Sequence, residues 1–158
     1  MGRPNSRAAA VIIKNHKILL MHRINNANEY WVFLGGGVED GETPEQTVVR
    51  EVMEEASINI KVDRLLYTHI YSGIGHKHYY YLCDYISGIP KLGNYNEMES
   101  IINEGQTYEP AWVPIDKLPK LLLYPLEVRD WLIEDYKSNF KNTHRIAEMD
   151  TKDLRQEL

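Results

Sequence analysis

The sequence holds a single cysteine, Cys83, in 158 residues. One thiol excludes an internal disulfide and a multi-cysteine zinc site, and it suits a reducing cytosol better than a secreted setting. Long hydrophobic runs are missing too. No apolar stretch approaches the roughly 18 residues of a membrane span, and the N-terminal MGRPNSR lacks the hydrophobic core of a signal peptide. A soluble cytoplasmic protein with no membrane partner is expected. Basic charge is scarce: 18 Lys and Arg against 23 Asp and Glu leave a net charge of −5, without the basic stripe of a protein that grips long nucleic acids. This deficit does not exclude small phosphorylated ligands, because a bound metal ion can supply the missing charge. Neither an internal repeat nor a low-complexity tract is present.

The length predicts one domain, taken as residues 1–141, with 142–158 a charged C-terminal tail or frayed helix. A chain of this size buries roughly 68–70% of the surface its unfolded form exposes, so it needs no disulfide or structural zinc to complete its core. Residues 8–13 and 17–21 read as two strands of a hairpin turned at Asn15-His16, and residues 30–34 as a third strand running into Gly35-Gly36-Gly37. Thr43-Pro44-Glu45-Gln46 carries an N-cap, a proline at the first helical position and a capping-box glutamine, so a helix is expected from there to about Ala56. Residues 58–71 and 77–86 are rich in aromatic and β-branched side chains and read as two long strands. Residues 90–108 read as a long loop, 111–115 as a strand, 116–123 as a short helix and 126–136 as an amphipathic helix started by Pro125. The order of elements gives an α+β, or mixed α/β, domain.

The chemistry concentrates between Gly36 and Ile58. With Glu51 at the origin of a helical wheel, Glu55 falls near about 40° and Glu54 near about 300°, so three carboxylates share one face. Val48, Val49, Val52, Met53 and Ala56 take the opposite side, an apolar face able to anchor the helix on a sheet. Like charges at this spacing repel by a few tenths of a kcal/mol even on an exposed helix. Arg50 can pair with one of them, and the remaining oxygens form a hard anionic cluster suited to Mg2+ or Mn2+ rather than zinc. Taken without its neighbours, such a face is more often simply solvated. The glycines ahead of it change that reading: a backbone free of side chains can approach a phosphate or lend a carbonyl to a metal, while the carboxylates hold the ion. The segment is not a P-loop, for the lysine and serine or threonine of that motif are absent.

This pattern resembles the box of the Nudix hydrolases: a glycine, five residues, a glutamate, seven residues, then R-E-U-x-E-E-x-G-U with U a bulky aliphatic residue. The matches are Gly36, Glu42, Arg50, Glu51, Val52, Glu54, Glu55 and Ile58, and Ser57 stands where the box has its last glycine. Trp31 and the run Ala111-Trp112-Val113-Pro114 fit the family's usual context, whereas Leu34 replaces a proline common just before the glycines and is expected to loosen the loop's entry. The resemblance implies a mixed β-sheet between helices. It also implies hydrolysis of a nucleoside diphosphate linked to another moiety, such as a nucleotide sugar, ADP-ribose or a nucleoside triphosphate, by water attack on phosphorus. By match, Glu51, Glu54 and Glu55 with a Gly35 or Gly36 carbonyl would bind Mg2+ or Mn2+, Arg50 would orient Glu51, and Gly35, Gly37 and Glu42 would organise the loop. The water's proton would go to Glu51 or to a loop glutamate, Glu97 ahead of Glu99 and Glu104. A nucleotide derivative is the expected partner, and a homodimer is compatible with the resemblance.

Two other readings compete: a non-catalytic Nudix-fold nucleotide-binding or regulatory module, against which the intact Arg50, Glu51, Glu54 and Glu55 argue, and an accidental acidic helix. His76 and His78 share one side of a strand and, with Cys83, raise zinc, but a convincing fourth ligand is missing. Contact of His76, His78 and Tyr80 with base or sugar competes with plain cross-strand packing. Tyr79, Tyr80 and Tyr81 alternate between faces, so they cannot form one stacking surface.

Overall fold

The computed structural model describes residues 6–91, 107–141 and 143–150. β1 (Ser6–Lys14) and β2 (Lys17–Asn25) form the expected hairpin, with Ile13 opposite Ile18 and Lys14 opposite Lys17. Asn15 and His16 turn it at positive φ, the conformation that suits a two-residue hairpin loop. Beyond this short ladder the strands part. β1 continues against β4 (Leu34–Gly37) and, in parallel, against β6 (His76–Ser87), which pairs in turn with β5 (Asn59–Tyr71). β2 continues against β3 (Asn28–Val32) and β7 (Thr107–Pro114), and β3 carries β8 (Leu123–Tyr124). One mixed sheet thus opens into two halves from a common hairpin.

The side-chain period of two along these strands divides the core between the two faces. Ala8, Ala10, Ile12, Leu19 and Met21 are buried on the face covered by α1 (Pro44–Ala56), in one cluster with Val48, Val52, Ala56 and Ile58. Val11, Ile18, Leu20 and Leu66 are buried on the other, with a 3-10 helix (Ile115–Lys120) and α2 (Leu126–Tyr136), which contribute Leu118, Val128 and Leu132. The fold class is the expected α+β. Tyr80 falls in one cluster and Tyr81 in the other, as alternation requires.

Several elements differ from the sequence reading. The strand expected over 30–34 is two, because the chain leaves β2 at Val32 to join β1 at Leu34. Leu34 is fully buried opposite Ala10, so the entry to the glycines is packed rather than loosened. The loop assigned to 90–108 already enters β7 at Thr107, and 92–106 lie outside the described residues. The helix expected over 116–123 is a 3-10 turn that Pro119 allows, followed by β8. The described part of the C-terminal segment is no helix: β9 (Arg145–Glu148) pairs in parallel with β5. Asp135 explains why. It is buried at the end of α2, accepts two bonds from Arg145 at 2.9 and 2.7 Å and one from Tyr67 at 2.8 Å, and so ties β9, β5 and α2 together. On α1, Val49 and Met53 are 41% and 40% exposed, so the helix's apolar face is narrower than the wheel suggests. Among the described residues no helix is long and apolar enough to cross a membrane.

Candidate active site

α1 begins as the sequence predicts. Thr43 accepts from the Gln46 amide at 3.2 Å while the Gln46 side chain accepts from the Thr43 amide at 2.9 Å, with Pro44 at the first helical position. The helix ends at Ser57, in left-handed backbone with φ 59°, where the family's glycine would sit without strain. Between these caps α1 lies against β1 and β4, and its acidic face meets the triple glycine of β4.

Glu55 is the most deeply placed of the three carboxylates, 7% exposed. Its Oε1 accepts from the Gly35 amide and its Oε2 from the Tyr108 hydroxyl, both at 2.9 Å. The Glu51 carboxyl rests on Gly36 so closely that a Cβ there would lie 2.3 Å from Oε1. Gly36 is glycine because its neighbour is a carboxyl. Burial pushes both Glu51 and Glu55 above the ordinary carboxylate range; Arg50 opposes the rise at Glu51 while the Glu54 charge adds to it, and at Glu55 the Glu51 charge adds to burial. Glu54 is half exposed and turns toward Arg50, its Oε2 3.3 Å from Nη1. Among the described residues no three His, Cys, Asp or Glu side chains are gathered into a ready metal cage. The expected convergence of three carboxylates is therefore a close pair, Glu51 and Glu55, with Glu54 beside it.

Arg50 organises this face more broadly than expected. Its Nη1 donates to Glu51 at 2.9 Å, but its Nε and Nη2 clasp both oxygens of Glu42 at 2.8 and 3.0 Å, and Nη2 also donates to the Gly37 carbonyl at 3.2 Å. The guanidinium holds Glu42 well below the usual carboxylate range, at about 2. Glu42 in turn accepts from the Glu39 amide and the buried Thr47 hydroxyl, so it pins the loop to α1 as well as folding it. A planar fork can reach loop and helix carboxylates at once in a way that lysine cannot.

Tyr108 and Thr47 were invisible in the sequence. A hydroxyl that donates to a carboxylate on another element leaves no local spacing signal, though Thr47 lies five residues from Glu42, within reach once a helix starts at Pro44. Glu97, Glu99 and Glu104 lie outside the described residues. His78 and Cys83 point to opposite faces of β6, across from Arg7 and Ile12 of β1, so zinc has no common site there. His78 and Tyr80 are buried, with their rings 4.9 Å from Tyr71 and 5.5 Å from Phe33 respectively. A cavity of about 40 Å³ lies beside Gly35 and Gly36, bounded by Arg7, Phe33, His78 and Tyr124. That is room for a few waters rather than a nucleotide ring.

Residues 4–133 match the family model described as the NUDIX domain. Over 124 residues the chain is 35% identical to the NAD-capped RNA hydrolase NudC of Enterobacter sp. (strain 638), covering 78% of this chain and 44% of that protein. The same protein of Salmonella agona (strain SL483) is 34% identical over the same coverage. The chain thus spans less than half the length of these curated relatives. Among solved structures, an ADP-ribose pyrophosphatase from Streptococcus suis 89-1591 superposes with a TM-score of 0.67 at 20% identity, covering 91% of this chain and 99% of that one. A NUDIX hydrolase from Nitrosomonas europaea gives 0.66 at 15%, covering 94% and 81%. At these identities the structural likenesses bear on the fold alone. Family model, relatives and the packing of Glu51 and Glu55 on the glycines agree: this chain belongs to the NUDIX domain family.

Proposed function

We propose that the chain is a divalent-metal-dependent pyrophosphohydrolase that cleaves the P–O–P linkage of a nucleoside diphosphate joined to another moiety. The observation that carries this reading is the placement of the Glu51 and Glu55 carboxyls against the backbone of Gly36 and Gly35, although burial opposes the ionisation of both. Such a pair fits a hard cation: its donors are all oxygen, and a divalent charge would relieve the repulsion that the fold enforces. Glu51, Glu54, Glu55 and the Gly36 carbonyl would hold it. Bound there, Mg2+ or Mn2+ supplies charge neutralisation for the pyrophosphate and a lowered pKa for a bound water.

The chain's own groups prepare the rest. Arg50 keeps Glu51 and Glu54 oriented and ties them through Glu42 to the glycine loop, and the Gly35 amide holds Glu55. The attacking water gives its proton to a carboxylate, for which we take Glu97, with Glu51 the alternative. A cytoplasmic setting goes with this reading, Cys83 being a free buried thiol. NAD-capped RNA and ADP-ribose, taken from the names of a relative and of a structural neighbour, join nucleotide sugars, nucleoside triphosphates and dinucleoside polyphosphates in the panel of substrates to test. The test is a screen of that panel with Mg2+ and Mn2+, run beside Glu54→Gln, Glu55→Gln and Glu97→Gln. Product release by wild type and its loss in the Glu55 variant are expected. Nucleotide binding without any product would instead make the chain a NUDIX-fold binding module, and full activity in both the Glu54 and Glu55 variants would refute the metal assignment.

A further inference from the structure

We propose that Tyr108 is a positioning residue of this site, fixing the Glu55 carboxyl from the β2–β3–β7 half of the sheet, and that Arg23 fixes the Tyr108 ring in turn. The proposal rests on the functional reading above in taking Glu55 as a metal ligand. The terminal torsion of a glutamate is broad and two-fold, so one hydrogen bond leaves the carboxyl free to rock. Glu55 receives two, on different oxygens and from different halves of the sheet: the Gly35 amide of β4 on Oε1 and the Tyr108 hydroxyl of β7 on Oε2, each at 2.9 Å. Each oxygen keeps a further lone pair with which to meet a cation.

The phenol is itself held. Tyr108 lies directly across the β2–β7 ladder from Arg23, whose guanidinium carbon sits 4.6 Å from the centre of the Tyr108 ring and 5.8 Å from that of Tyr30. Arg23 Nε is buried with no hydrogen-bond partner, so attraction to the ring face, rather than a bond from Nε, accounts for where this cation rests. The Tyr108 ring therefore stands between a cation on its face and a carboxyl at its hydroxyl. Because β7 and β4 belong to separate halves of the sheet, Tyr108 also makes the geometry of Glu55 depend on how those halves sit together.

The test uses the full chain, with Mn2+ titrated calorimetrically into wild type, Tyr108→Phe and Tyr30→Phe, thermal unfolding in chelator, and ADP-ribose hydrolysis over a range of Mn2+. Loss of a residue that orients a metal ligand costs about 10–100-fold in metal affinity. The Tyr108→Phe protein is expected to bind Mn2+ weaker by about that factor, to unfold near the wild-type temperature, and to regain kcat as Mn2+ is raised. Tyr30→Phe, which touches Arg23 but not Glu55, is expected to match wild type. Should Tyr108→Phe fail to fold, Arg23→Met keeps the hydroxyl but frees the ring, and weaker Mn2+ binding is expected there too. Wild-type Mn2+ affinity in Tyr108→Phe, or an equal loss in Tyr30→Phe, overturns the role of Tyr108 alone. A wild type that binds no Mn2+ overturns the functional reading and this proposal with it, whereas one that binds Mn2+ yet hydrolyses nothing leaves the calorimetry to decide Tyr108.

Discussion

Replacing Gly36 with alanine should damage the site while sparing the fold, and the distances say by how much. The new methyl would lie 2.3 Å from Glu51 Oε1 and 2.5 Å from its Cδ, where non-bonded contact needs about 3.5 Å. The carboxyl must retreat by about 1 Å. The backbone of Gly36 is not in the left-handed region, so alanine adds no strain of its own. What gives way is the end of a flexible side chain, so the fold should lose only about 1 kcal/mol, or about 2–4 °C in Tm. The site loses more: the 2.9 Å bond from Arg50 to Glu51 breaks and Glu51 leaves its place beside Glu55. A displacement of about 1 Å at a reacting centre costs on the order of 10²-fold in rate. Thermal unfolding and hydrolysis of ADP-ribose with Mn2+, measured on the same preparation, separate the two effects. Activity within about threefold of wild type in a folded Gly36→Ala protein would refute the contact-based reasoning.

Gly35→Ala should damage the fold itself, because its methyl meets the Ala8 carbonyl at 2.3 Å and Ala9 Cα at 2.6 Å, both backbone; a loss of about 3 kcal/mol is expected in urea unfolding. Glu42→Gln should cost about 1–2 kcal/mol at neutral pH. Since Glu42 is lowered from 4.5 to about 2 in the folded chain, that contribution is present above pH 4.5 and disappears as pH falls toward 2, so the Tm gap to wild type should close over that window. Asp135→Asn removes the charge partner of Arg145 at a buried position and should cost about 3 kcal/mol by denaturant titration, with β9 the first element to lose amide protection. Ser57→Gly relieves a left-handed residue at the end of α1 and should raise Tm by about 2–4 °C.

The elements read correctly from the sequence were those whose signals are local. Thr43, Pro44 and Gln46 act within one helical turn, and Asn15-His16 act within one hairpin loop, so their spacing carries the geometry. The box residues are of the same kind: Arg50, Glu51, Glu54 and Glu55 share a helix face because 3.6 residues make a turn. The errors fell where distant contacts rule. β9 forms in a polar segment because Arg145 reaches Asp135 on α2, and Val49 and Met53 stay exposed because α1 packs on the sheet through Val48, Val52 and Ala56 only.

From the residues alone came an α+β fold, an acidic helix face behind a glycine loop, and a net negative charge that a bound cation could offset. Tertiary structure alone decided that Glu51 and Glu55 form the close pair while Glu54 stands aside, that Arg50 spends most of its fork on Glu42, and that Tyr108 closes over Glu55. The reason is physical. A helical wheel gives directions but no depth, and the burial of Glu55, together with the hydroxyl and amide that meet it, depends on β4 and β7 being brought to α1 from different parts of the chain.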